Sequence, residues 1–299
     1  SCTGYLWLVM NDHLTNSTTR SYKTEAEASA RLRELEAKYD LFRYTVDGYS
    51  AWRLLRFGVA VSLQALPFQK KATASKWQRL CKLLFQTILD APVILFPKHA
   101  RYVVKTFSTA FSEKENGCWK DVYFDDLLKE LGNSFKIEVQ NNPSYNNRRK
   151  SALIPIAITN ATVDLLSAIL AKLYHPRCIL KVACNMSEDL QDEIDLHFLN
   201  VNIIKGVLAR FYWAKRIYKW LLMRIRPDFI LLSDTGEQAI GSAAKELGME
   251  TVEFQHGIFT QHHPDALPSL ALPYRSTLIV PDKLFLYGYF WKQELEKNE

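Results

Sequence analysis

Residues 227–254, PDFILLSDTGEQAIGSAAKELGMETVEF, decide the fold. FILL (229–232) is a short apolar run behind a proline, the pattern of a buried strand. Residues 237–247 carry apolar side chains at helical spacing, and Gly248 stands just past the last of them, where glycine commonly stops a helix. Residues 250–254 then read as a second strand. Strand, helix, glycine stop, strand is a βαβ unit, and such a crossover returns the chain parallel to itself.

Outward from this unit the same alternation continues. Short apolar runs at 93–96 (VILF), 154–158 (IPIAI), 179–183 (ILKVA) and 283–287 (KLFLY) read as strands. Helices are expected at 125–131, 161–173 and 201–226. Nearer the start, 5–10 (YLWLVM) reads as a strand. Residues 24–38 read as a helix with Thr24 as N-cap and Glu27 as its capping-box partner. A more apolar helix is expected at 49–66, and the basic stretch 68–80 reads as a loop leading into a helix. The expected fold class is α/β: a Rossmann-like three-layer domain with a mainly parallel sheet over 91–299. A strand plus helical segment, 1–90, is expected to pack on it.

Composition bounds the function. The chain has 299 residues, 38 Lys and Arg against 32 Asp and Glu, and 48% hydrophobic residues. This is a globular composition, not that of a disordered, collagen-like or coiled-coil chain. A net charge of +6 suits weak attraction to phosphates or an anionic membrane, and nucleic acid is not expected as a partner. The five cysteines form no C-x-x-C pair, which argues against a disulfide framework or zinc site and for reduced thiols in the cytoplasm. No signal sequence or membrane-spanning run is visible.

Ligands of open α/β sheets bind beyond the carboxyl ends of strands, so three loops stand out. After Phe254 come Gln255, His256 and Gly257, then Gln261, His262 and His263. These histidines could serve acid/base or anion-binding roles, or be structural. Gly257 permits close backbone approach. Metal ligation lacks a supporting spacing, and no metal is expected. After Leu232 come Ser233, Asp234, Thr235 and Gly236. Asp234 or Thr235 can cap the following helix, or Asp234 can act as base or nucleophile. Gly236 and Gly241 resemble a P-loop in spacing, but the required lysine is missing, which excludes that class. After Phe96, Lys98 and Arg101 could hold phosphate or carboxylate, or form a solvated cluster. The helix at 201–226 interleaves seven basic residues with aromatic ones; it reads either as an ordinary crossover helix or as a peripheral contact with anionic membrane.

These stretches together resemble a known family. AAKELGMETVEFQHGI (243–258), followed by His263-Pro264 and by PDKLFLYGYFW (281–291), resembles segments of bacterial surface-polysaccharide glycosyltransferases of GT-B architecture, the Kdo-transferase-like and capsule-assembly enzymes. DGYSAWRLLR (47–56) and the stretch from Asn116-Gly117 to Asp121-Val122-Tyr123-Phe124-Asp125 match two earlier segments. The pattern departs at Asp126, where the family has proline, and at Lys98-His99-Ala100-Arg101, where it often has Ser/Thr-x-x-Arg.

The resemblance implies the N-terminal, acceptor-side half of a cytoplasmic, peripheral-membrane enzyme of capsule or lipopolysaccharide biosynthesis. A donor-binding second Rossmann domain would lie outside this chain. Such an enzyme moves a sugar from a nucleotide-sugar donor, its co-substrate, to a glycan or lipid-linked acceptor without a further cofactor. Asp234 is then the expected base or nucleophile and His256 the acid/base or phosphate contact. Thr235, Gly236, Gln255, Gly257 and His263 would shape the substrate site, and Lys98 and Arg101 would bind an acidic substrate. A sugar-nucleotide epimerase of the same architecture and a non-catalytic glycan-binding module are the alternatives.

Overall fold

The computed structural model describes residues 22, 24–64, 76–106, 112–115, 118–139, 153–233, 237–255, 262–263 and 266–296. The expected strand at 5–10 lies outside them.

Thr24 opens helix α1 (Glu25–Tyr39) with the reciprocal capping box expected from the sequence. The antiparallel pair β1 (Thr45–Val46) and β2 (Tyr49–Ser50) follows, and the Ser50 hydroxyl caps α2 (Ala51–Leu63) by accepting from the Arg53 N–H. Then come α3 (Lys76–Leu95), β3 (Tyr102–Thr106), and the antiparallel hairpin β4 (Ser112–Glu115) and β5 (Cys118–Asp121). Helix α4 (Asp125–Leu131) leads to β6 (Ser134–Glu138), and β7 (Ile158–Thr159) leads to α5 (Asn160–Leu173). Helices α6 (Arg177–Leu190) and α7 (Val201–Ile225) precede β8 (Phe229–Leu232), α8 (Gln238–Glu246), β9 (Glu250–Phe254), β10 (Lys283–Phe285) and α9 (Tyr289–Glu296).

Six strands form one sheet in the order β10-β9-β8-β3-β6-β7, and all five pairings are parallel. Counted by appearance in the sheet and read from the β7 edge, this is 3-2-1-4-5-6, the doubly wound Rossmann order. From the central pair β3 and β8 the chain steps outward in opposite directions. Right-handed crossovers therefore put α4 and α8 on opposite faces. Two separate cores reflect this. One joins Val103, Ile137 and Ile230 to α2, α5, α7 and α8; the other joins Val104, Leu231 and Val252 to Phe124 and Leu128 around α4. The first core is continuous with Ala28, Leu32 and Leu35 of α1 and with Trp52 of α2.

The unit that opened the sequence reading is observed as expected at β8, α8 and β9, with Gly248 at φ +68°. Other expectations are corrected. Residues 93–96 are not a strand; α3 runs through Leu95. Residues 179–183 lie inside α6, whose Ile179, Ala183, Met186 and Leu190 are buried at helical spacing. A short apolar run carries no periodicity of its own, and in both places the helix is visible only over a longer window. Of 154–158 only Ile158 enters a strand. Two interior strands of the sheet, β3 and β6, escaped the sequence reading because each carries a lysine.

Candidate functional site

The switch point of a doubly wound sheet lies beyond the carboxyl ends of its first and fourth strands, here β3 and β8. The Ser233 N–H donates to the Lys105 carbonyl at 3.3 Å, so these ends are closed against each other. Strands β3, β8 and β9 end on this side of the sheet, at Thr106, Leu232 and Phe254. Asp234, Thr235, Gly236, His256 and Gly257 lie outside the described residues. Their neighbours Ser233, Glu237 and Gln255 are described, and all three are buried.

Below this rim sits a buried charge pair that the sequence reading missed. The Lys105 ammonium bonds to Glu237 Oε2, and both side chains are 2% exposed. Burial works against the ammonium, but the Glu237 carboxylate outweighs it and holds Lys105 above its ordinary pKa. The ammonium lies 4.9 Å from the centroid of Tyr218, a cation–π contact. Burial pushes the Tyr218 phenol up as well, so it stays protonated and donates to Asn160 Oδ1. Asn160 in turn donates to Asp164 at 2.8 Å. This chain ties the switch point to α7 and α5.

The pair is incompletely satisfied. Glu237 Oε1 is buried without a hydrogen bond, and so is the Gln238 side-chain oxygen beside it. Both residues border a cavity of about 20 Å3 together with Leu232, Thr251, Glu253 and Ile279. That volume admits one water molecule and no sugar.

The other expected site residues divide. Gln255 is a structural clamp at the rim: its N–H donates to the Phe285 carbonyl at 2.8 Å and its Oε1 accepts from the Tyr287 N–H at 2.9 Å. His263 is half-buried on the segment after β9, and its carbonyl accepts from the Ala266 N–H. Lys98 and Arg101 are corrected. With no strand at 93–96, their loop joins the end of α3 to the amino end of β3. Both are exposed, and Arg101 pairs with Asp228 just before β8. They stand at the opposite end of the sheet from Ser233 and Gln255.

Several residues that carry the family resemblance have structural work here. Asp47 pairs with Lys215 and Arg216 of α7, while Trp52 and Arg56 both donate to the buried Glu36 Oε1. Asp282 accepts from the Thr251 N–H and hydroxyl, both at 2.8 Å. Asp121 accepts from the Tyr123 and Phe124 N–H groups and from the Thr106 hydroxyl, and Asp125 accepts from the Asp121 N–H. Lys136 of β6 bridges both carboxylates, at 2.5 Å from Asp125 and 3.4 Å from Asp121.

Helix α7 is a crossover helix with a deeply buried face that includes Phe211, Tyr218, Leu221 and Leu222. Five of its seven expected basic residues are engaged within the molecule. Lys215, Arg216 and Lys219 pair with Asp47 or Glu246, and Arg210 and Arg224 donate to the carbonyls of Asp164 and Leu95. Among the described residues no helix is long and apolar enough to cross a membrane, and no cluster of three or more His, Cys, Asp and Glu could hold a metal ion. No family model, no curated protein and no solved structure matches the chain.

Proposed function

We propose that this chain is a glycosyltransferase domain of GT-B type that uses a nucleotide-sugar donor and a glycan or lipid-linked acceptor. The observation that supports the reading is the 3-2-1-4-5-6 sheet order, in which β8 and β9 are adjacent parallel strands ending at Leu232 and Phe254, two residues before Asp234 and His256 in the sequence. In this reading Asp234, one residue past Ser233, activates the acceptor hydroxyl or attacks the anomeric carbon. His256, next to the clamped Gln255, serves as acid/base or phosphate contact. Positive potential against the leaving phosphate comes from the first turn of α8, which begins at Gln238, just past the buried Glu237. Lys98 and Arg101 have no part in it.

The test is transfer by the full-length native protein across a panel of nucleotide sugars and surface-glycan acceptors, read as glycosylated product by mass spectrometry. Asp234→Asn is expected to lower turnover by at least about a thousandfold with the thermal unfolding curve unchanged. Full retention of transfer by that variant would remove Asp234 from the mechanism. A changed nucleotide sugar formed with no acceptor present would replace transfer by epimerisation.

A further inference from the structure

Helix α3 is amphipathic in the inverted sense. Its inward side carries Gln86, Thr87 and Asp90 beside Val93 and Ile94, whereas its outward side carries Leu84, Phe85, Ile88, Leu89, Leu95 and, just past its end, Phe96. Phe85 is 62%, Ile88 69% and Phe96 81% exposed. At 100° per residue these six fall on one broad stripe with the exposed Pro92 in its middle. The rotation is fixed from within. Asp90 is fully buried, and its Oδ2 accepts from the Thr159 N–H at 2.9 Å, the Thr159 hydroxyl at 2.7 Å and the Thr162 hydroxyl at 2.8 Å. A carboxylate locked onto the start of α5 cannot turn outward, so the apolar stripe cannot turn inward.

The surroundings of the stripe's end select what meets it. Leu95, Phe96 and Pro97 share an open depression with Met223, Arg224 and Arg226. Arg224 donates to the Leu95 carbonyl at 2.8 Å, and Lys98, Arg224 and Arg226 are all exposed. The acid Asp228, just before β8, is already paired with Arg101. Exposed aromatic and aliphatic side chains rimmed by cations are the composition of a lipid-interface contact, in which the apolar groups enter the acyl boundary and the cations meet anionic headgroups.

We propose that the outward face of α3, continued by Phe96 and rimmed by Lys98, Arg224 and Arg226, docks on an anionic membrane surface. The contact is peripheral and stands on this geometry alone, independent of the reaction proposed above. It also relocates the membrane contact from α7, whose apolar face is spent on the core, to α3.

The test is flotation of the full chain with vesicles. Binding is expected to vesicles containing phosphatidylglycerol and to fall by at least about tenfold on vesicles of phosphatidylcholine alone or in high salt. Ile88→Glu with Phe96→Glu, two exposed positions, is expected to abolish flotation while the circular dichroism melt stays unchanged. Lys98→Gln with Arg226→Gln is expected to weaken binding about 25-fold, roughly fivefold per cation, and to flatten the salt dependence. Failure of the folded wild type to float with anionic vesicles would overturn the proposal, as would flotation that survives the double glutamate variant. If the wild type does not float but sediments as a dimer that Ile88→Glu/Phe96→Glu dissociates, the stripe meets a second copy of the chain instead.

Discussion

Each face of the sheet buries one lysine, and the two differ in how well they are answered. On the α4 face, Lys136 meets Asp121 and Asp125, and both oxygens of each carboxylate have partners. On the α8 face, Lys105 meets a single carboxylate, Glu237, beside the Tyr218 ring, and one oxygen of that carboxylate has no protein hydrogen-bond partner, next to a small polar-edged cavity. A network closed by protein groups alone rigidifies a core, while one with an oxygen left over needs a water or a ligand group to complete it. The complete network lies under a helix. The incomplete one lies under the switch point, where ligands of such sheets bind.

The comparison can be broken at its strong side. Lys136→Met leaves two carboxylates buried together without a cation and is expected to cost about 5 kcal/mol, read by urea denaturation. A loss below about 1 kcal/mol would mean that the network is not what holds α4. The weak side gives a smaller effect: Glu237→Leu strands the Lys105 ammonium and is expected to cost about 3 kcal/mol. Lys105→Met added to Glu237→Leu should recover most of that loss, since apolar groups replace a half-satisfied pair at little cost. A double variant no more stable than the single one would show that the pair is complete in solution.

A third site sharpens the contrast through pH. Glu193 accepts from Lys38 at 2.8 Å, Tyr39 at 2.5 Å and Arg31 at 2.5 Å, holding α1 to the segment before α7. The Lys38 ammonium foremost, with Tyr39 and Arg31, lowers its pKa to about 2. A carboxyl depressed in the folded state adds stability that is fully present above its unfolded pKa, near 4.5, and is lost as the pH falls through the folded value. Glu193→Gln is therefore expected to cost about 2 kcal/mol at neutral pH, with the difference from wild type closing between about pH 4.5 and 2. Thermal melts across that range check it. A gap that persists at the acid end would assign the loss to packing.

The same lysines mark where the sequence was legible. The unit at 227–254 could be read because its strands are uninterrupted and its helix has a glycine stop. YVVKT and SFKIE could not, because a charged residue inside a strand looks exposed until a partner from elsewhere in the chain, Glu237 or Asp125, answers it. Reading 93–96 as a strand then put Lys98 and Arg101 at a carboxyl end, when they stand at the amino end. The segments with Asp234 and His256 were legible because they follow β8 and β9 directly. The Lys105–Glu237 pair was not, although Val103 and Val104 before the lysine were a signal that the whole run is buried.

The order of the strands also has a kinetic side. In register, Tyr102 of β3 meets Ser134 of β6, and Phe229 of β8 meets Glu250 of β9, both across short stretches of chain. Tyr102 also meets Phe229, and that pairing must close a loop containing α4, α5, α6 and α7. Loop-closure entropy and contact order make this central seam the slowest pairing to form. The sheet then grows as two wings, each able to nucleate on its own local contacts, and the crevice between them comes into being only when the wings join.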